Sequence, residues 1–281
     1  MTYSIVARDA ETGDVGVAVQ SRSFNAGAVV PWVEPGVGAV ATQSYTEPAY
    51  GPLGLELLRA GKTPEQALAG LVAADPEPRY RQVAMLDAEG RTAVHVGEAC
   101  IPAAGYVTGD GFSAQANLVA SARVWTAMGE AFEAATGSLA RRLLVALDAA
   151  EAAGGDWRGR QAGGIVVAPA TGRPWERVID IRVDDHDDPL GELRRLLGLR
   201  EAYLELRESS EPVAVAEAAG MGELDVTWAR ITAALRSGEF DRARAEFRPL
   251  FEAEPRWADY VRSLGDRELL PHADELLSAR R

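Results

Sequence analysis

The sequence predicts an α+β fold: a helix–sheet–sheet–helix sandwich followed by a small all-α tail. Three observations carry this reading. Short runs of strand-forming residues come in neighbouring pairs around glycine-containing polar turns, the pattern of antiparallel hairpins. Helical segments come in adjacent pairs between those hairpins, which sets the pattern apart from alternating βαβ units. After the charged break Asp184-Asp185-His186-Asp187-Asp188-Pro189, only helical patterns remain. The break divides the chain into an expected domain 1–187 and a helical region 188–281.

The opening hairpin pairs residues 3–8 with 15–20 around Asp9-Ala10-Glu11-Thr12-Gly13-Asp14. A second pair is expected at 28–33 and 37–43, turning on Glu34-Pro35-Gly36, a favourable turn sequence. Helices follow at 53–60, closed by Gly61, and from Pro64 onward. In the second, Thr63 is the expected N-cap, Pro64 the first helical residue and Gln66 the capping-box partner. Residues 82–86 and 92–96 flank Asp87-Ala88-Glu89-Gly90 as another hairpin. The Gly-, Ser- and Gln-rich stretch 105–118 reads as irregular, with a strand near its end. Helices are expected at 122–135 and 139–153, the second capped by Ser138, and a last hairpin at 163–168 and 178–183. In the tail, 190–207 reads as one long helix. Residues 228–238 and 240–254 read as an antiparallel pair, and Asp241 to Trp257 resembles the second half of a tetratricopeptide unit.

Composition narrows the function classes. The chain has 281 residues, 47% of them hydrophobic and 25% charged, as in ordinary globular proteins. Its net charge of −13 argues against nucleic-acid binding and against an anionic membrane surface, since both need a basic face. A single cysteine, Cys100, rules out an intramolecular disulfide and a cysteine-built zinc site. No signal peptide and no run of about 18 apolar residues is visible, so a cytoplasmic protein is expected.

Several residues have types that carry chemistry. Thr2 follows Met1 directly, and methionine removal is expected before so small a side chain. The exposed threonine would then hold a nucleophilic hydroxyl next to its own α-amine, a base with an ordinary pKa of about 8. Many chains begin Met-Thr with no chemistry attached, so this feature alone does not decide. If the first hairpin pairs as expected, Gln20-Ser21-Arg22 ends beside Thr2. Gln43, Ser44 and Asn117 are candidates for substrate or oxyanion contact, with backbone-satisfying loop amides as the plainer alternative. Arg158 and Gln161 sit in a compact polar motif before a strand, and Arg158 could meet a substrate carboxylate or simply pair with Asp156. Asp184, Asp185 and His186 combine metal-ligand types, but a solvated turn fits them better than a metal site, and no metal or cofactor is expected. His95 alternates with valines as a strand-surface residue, and Cys100 reads as a small buried side chain.

The segments TYSIVARDAETGDVGVAVQSRSFNAGAVVPWVEPGVGAVATQS at 2–44, YGPLGLELLRAGKTPEQAL at 50–68, RQVAMLDAEGR at 81–91, GEACIPAAGYVTGDGFSAQANL at 97–118, GGDWRGRQAGGIVV at 154–167 and RVDDHDDPLGELRRLL at 182–197 resemble the DUF1028 family. That family is grouped with the N-terminal-nucleophile (Ntn) hydrolases, and the resemblance implies a four-layer αββα Ntn-hydrolase-like sandwich. It implies no particular reaction. Among the wider relatives, proteasome β-subunits close their second strand with Asp-Ser-Arg, which Gln20-Ser21-Arg22 resembles with Gln for Asp. Those subunits also place a lysine beside the nucleophile. The only lysine here is Lys62, ahead of a helix. Arginine does not deprotonate, which leaves the α-amine as the main base.

Together these readings lead to an expected amidohydrolase of a small amide or peptide-like substrate. Thr2 would be the nucleophile, with Asn117 or Gln43 and backbone N–H groups at the oxyanion. Gln20, Ser21, Arg22, Gln43, Ser44, Arg158 and Gln161 would contact substrate. The alternative is a non-catalytic binding protein that recruits partners through its helical tail. A homodimer is compatible with either.

Overall fold

The computed structural model describes residues 2–270 and 272–278. Two antiparallel sheets form its centre. The first runs in the order β10-β9-β2-β1-β8-β7, the second β3-β4-β5-β6. Strands β1 (Thr2–Arg8) and β2 (Val15–Ser21) form the predicted opening hairpin. Strand β1 is central, paired with β2 on one side and with β8 (Phe112–Asn117) on the other. Strand β9 (Ala162–Ala168) continues the sheet from β2 to β10 (Ile179–Val183). In the second sheet, β3 (Pro31–Glu34), β4 (Gly38–Ser44), β5 (Arg81–Asp87) and β6 (Thr92–Val96) follow one another as a meander.

Strand alternation sorts the side chains into layers. Tyr3, Ile5 and Ala7 of β1, with Ala114 and Ile165, pack under α4 (Arg123–Ala134) and α5 (Leu139–Ala152) through Met128, Leu143 and Leu147. The opposite faces meet between the sheets, where Val6, Val15, Val17 and Val19 contact Val33, Ala39, Ala84 and Leu86. Val40, Val83 and Met85 face outward under α2 (Tyr50–Arg59) and α3 (Pro64–Ala74). Each buried valine or leucine contributes about 1.5–3 kcal/mol by leaving water. The predicted caps are in place: Thr63 accepts from the Gln66 backbone N–H while the Gln66 side chain returns to Thr63, and Ser138 accepts from the Arg141 N–H.

Two local expectations are corrected. Residues 28–33 are not one strand. A short helix, α1 (Ala26–Val29), precedes β3, entered through Asn25 at φ 63°. Gly27 explains the compact turn, because a Cβ there would meet the Gly163 carbonyl oxygen at 2.8 Å. The stretch 105–118 is a full hairpin, β7 (Gly105–Gly109) with β8, turning on Asp110-Gly111 with Gly111 at φ 68°. Asp-Gly is a strong two-residue hairpin signal that the weak strand propensity around it concealed.

Helix α6 (Pro189–Glu205) follows the charged break, and the chain divides into two compact units after Leu197. Leu190, Leu193 and Leu197 complete the first unit's core. The second unit consists of helices: α7 (Pro212–Ala218), α8 (Glu223–Arg236), α9 (Phe240–Ala253), α10 (Arg256–Gly265) and α11 (Ala273–Leu277). Phe247, Phe251, Ala258 and Val261 form its core, with Trp228 packed edge-on against Phe247. Among the described residues, no helix is long and apolar enough to cross a membrane.

Candidate functional site

Thr2 begins the central strand of the larger sheet, so its backbone is held from both sides. Its register partners are Ser21 on β2 and Asn117 on β8. Directly opposed residues in antiparallel strands point to the same face with Cβ atoms about 5 Å apart. Ser21, Thr2 and Asn117 therefore form one row across three strands, facing the second sheet. The Thr2 and Ser21 hydroxyl oxygens lie 3.0 Å apart, and Thr2 is only 7% exposed.

Behind that row the inter-sheet layer is polar. Ser4 donates to Gln43 Oε1 at 2.6 Å, and its own oxygen accepts from Gln115 Nε2 at 2.6 Å. Ser113 donates to Gln115 Oε1 at 2.9 Å. Gln43 Nε2 donates to Gln82 Oε1 at 2.7 Å and to the Thr2 carbonyl at 3.4 Å. Asn117 Nδ2 donates to the same Gln82 oxygen at 2.9 Å. Gln82 Nε2 donates to two backbone carbonyls, Ala116 at 2.9 Å and Gly105 at 3.1 Å. These side chains are buried, so each unmade bond would carry a desolvation cost, and each bond in the chain polarises the next.

The backbone leaves this layer under strain. Ser44, right after Gln43, has φ 75°, and Leu118, right after Asn117, has φ 56°. Non-glycine residues in the left-handed region carry a steric penalty and cluster at functional sites.

Around the row, the Arg22 backbone N–H donates to Asp156 Oδ2 at 2.9 Å, and the Arg158 backbone N–H donates to Asp156 Oδ1 at 2.9 Å. The Arg158 guanidinium pairs with the same carboxylate at 3.2 Å. The Arg22 guanidinium donates to Gln161 Oε1, and Gln161 Nε2 donates to Asp185 Oδ1 at 2.9 Å.

The structure thus gathers Thr2, Ser21, Gln43 and Asn117 at one end of the inter-sheet layer, with Arg22, Arg158 and Gln161 linked around Asp156 beside them. Ser44 ends β4 next to Gln43. Gln20 is on the other face. Strand alternation pairs it with Tyr3 toward the helices, where its side-chain oxygen and nitrogen are both buried without a partner among the described residues. Tyr3 in that layer donates to Glu151 Oε2 at 2.7 Å, and burial followed by the Glu151 charge pushes its phenol well above the ordinary range. Lys62 is exposed between α2 and α3.

Asp184 pairs with Arg182, and His186 Nδ1 accepts from the Asp188 N–H. Among the described residues, no group of three or more His, Cys, Asp or Glu side chains is gathered as a metal ion would need. His95 is half-buried with Nε2 2.8 Å from the Pro78 carbonyl oxygen, and buried Cys100 donates to the Arg81 carbonyl. Sequence reasoning missed Ser4, Gln82, Ser113 and Gln115. For Ser113 and Gln115 the signal was the alternation Phe112-Ser113-Ala114-Gln115-Ala116-Asn117, which places every polar residue on one face.

A mixed α/β domain of antiparallel sheets, with a polar strand-end row at its N-terminal strand, is the class that this geometry defines. The chain belongs to a family of unknown function, DUF1028, whose model matches residues 2–193. It is similar to the crystal structure of protein SPO2555 from Silicibacter pomeroyi, of the same family, with 33% identity and a TM-score of 0.64 over 70% of this chain and 87% of that one. Anbu (ancestral beta-subunit) from Yersinia bercovieri matches over 72% of this chain and 96% of that one, at 11% identity and a TM-score of 0.30, values too low to carry an argument. No curated protein matches the chain.

Proposed function

We propose that this protein is an Ntn-type amidohydrolase acting on a small amide or peptide-like substrate, with Thr2 as nucleophile once Met1 is removed. The observation that carries the reading is the Thr2 hydroxyl, 3.0 Å from Ser21 Oγ, at the head of a strand bound on both sides. Helix pairs on the outer faces of two stacked antiparallel sheets support the four-layer αββα sandwich that this chemistry uses.

In the proposed reaction, the α-amine takes the Thr2 hydroxyl proton as Oγ1 attacks the substrate carbonyl. The protonated amine then passes that proton to the departing amine, leaving an ester on Thr2. Water, deprotonated by the same amine, releases the acid and restores the hydroxyl. Arg22 supplies nearby positive charge without acting as a base. Gln43 directs both amide hydrogens inward, to Gln82 and to the Thr2 carbonyl, so it serves as support and not as an oxyanion donor. Asn117 keeps a second N–H beyond its bond to Gln82 and is the side-chain donor for the oxyanion.

Intact-mass measurement tests the first step: quantitative retention of Met1 sinks the mechanism. With Met1 removed, Thr2→Ala is expected to abolish turnover of an amide library while the protein stays folded, and retained turnover moves the nucleophile elsewhere.

One observation favours a second reading, a binding protein engaging its partner through the tail. The helical unit holds a groove of about 820 Å³ lined by Tyr203, Trp228, Trp257 and Tyr260. Partner binding that survives Thr2→Ala but not Trp228→Ala would support it.

A further inference from the structure

The geometry points to Gln82 as the positioning residue of the Thr2 site, the group that fixes which atoms of Asn117 and Gln43 face the nucleophile. This rests on the proposal that Thr2 is the nucleophile. The hydrogen-bond partners of Gln82 leave its amide one orientation. Its Nε2 meets two backbone carbonyls, those of Ala116 and Gly105, which only accept. The amide therefore cannot be turned over without facing oxygen with oxygen twice. Its Oε1 is then the acceptor for both Gln43 Nε2 and Asn117 Nδ2.

That assignment propagates in both directions. Gln43 must present its oxygen to the Ser4 hydroxyl, and Ser4 must accept from Gln115. Asn117 must keep its amide nitrogen on the Gln82 side, with one N–H and its oxygen remaining. Ala116 and Gly105 are themselves register partners on β8 and β7. Gln82, on β5, thus ties the second sheet to the end of β8 that carries Asn117 into the Thr2 row. It touches neither Thr2 nor any reacting atom, and acts through its neighbours.

An alkyne-bearing β-lactone probes this without knowledge of the substrate. Thr2 Oγ1 bonds to the lactone carbonyl carbon, the ring C–O bond breaks, and the proton from Thr2 ends on the released ring oxygen. The adduct has the summed mass and is read by intact-mass spectrometry. The labelling rate is measured against pH for the processed wild type, Gln82→Met, Gln82→Glu, and Val6→Ala, the last from the apolar part of the same layer. Both Gln82 variants are expected to lose about 10- to 100-fold in rate, the scale of a misplaced reacting group, and to move the pH midpoint. Val6→Ala should keep both within about twofold even where its melting temperature falls as far, since it disturbs packing and no hydrogen bond.

Should Gln82→Met fail to fold, the isosteric Gln82→Glu carries the comparison. The wild type offers a measure that needs no variant, because the Gln82 side-chain amide protons should exchange slowly with solvent. Fast exchange overturns the proposal. Gln82 variants that behave like Val6→Ala overturn it too, while silence of Thr2→Ala leaves the nucleophile reading standing. Labelling of Thr2→Ala at the wild-type rate, or none in the wild type, defeats the nucleophile reading and the positioning role with it.

Discussion

The space between the two sheets is built in two ways, on the same strands. At one end, Val6, Val15, Val17 and Val19 of the larger sheet press on Ala39, Ala84 and Leu86 of the smaller. At the other end, two to four residues along, Thr2, Ser4, Ser21, Gln43, Gln82, Gln115 and Asn117 fill the same layer, equally buried. The apolar end gains stability directly from burial. The polar end replaces hydration with hydrogen bonds of small net value, and its role in stability is mainly that breaking it is costly. A packing-only account of the sandwich would make both ends alike. That the polar half terminates at Thr2 is what ties the layer to the proposed chemistry.

The sharpest break in this comparison comes from truncating each end. Leu86→Ala should destabilise by about 2–5 kcal/mol, the range for a buried leucine that leaves a cavity. Urea denaturation should show a lower midpoint with an unchanged slope. A loss under 1 kcal/mol would mean that the apolar end is not the close-packed half.

Ser4→Ala removes few atoms but leaves Gln43 Oε1 and Gln115 Nε2 without partners. A buried polar group left alone costs about 1–3 kcal/mol, so the loss should far exceed that of deleting one exposed hydroxyl. Ser113→Ala strands only Gln115 Oε1 and should cost less than Ser4→Ala. Equal effects would show that the links are independent and not a chain.

How much of this was legible follows from what strand alternation can report. The opening hairpin, the Thr63 capping box and the Ser138 cap were readable because local chemistry fixes them, whereas the β7–β8 hairpin was hidden by weak strand propensity. The pairing of Ser21 with Thr2 followed from hairpin register. Gln20 adjoins Ser21 in sequence, yet one residue of shift along a strand changes the face. Ser113 and Gln115 are hidden in the sequence for a different reason. Alternation tells which residues share a face, not whether water or a second sheet lies across it. Gln82 becomes meaningful only when β5 is laid against β8, a contact between residues 34 positions apart or more that no local pattern encodes.

The smallest expected effect separates the two kinds of buried polarity by pH. Serine, threonine, glutamine and asparagine do not titrate in the acid range, so the cost of Ser4→Ala should be the same at pH 7 and pH 3.5. Asp75, outside the inter-sheet layer, is the contrast. Hydrogen bonds from Arg81, at 2.8 Å, hold its carboxyl below the ordinary range, with burial opposing and the Glu77 N–H and Tyr50 hydroxyl assisting. A carboxyl depressed in the folded state contributes stability above its unfolded pKa of about 3.9 and loses it as pH falls through the folded value. Asp75→Asn should therefore cost about 1 kcal/mol at pH 7, and the cost should shrink steadily below about pH 4 as the wild type loses the same contribution. Urea midpoints at several pH values check both arms. A Ser4→Ala cost that falls with acid in parallel with Asp75→Asn would mean that the polar layer depends on a charge outside it, and that its two ends differ by electrostatics and not by hydrogen-bond satisfaction.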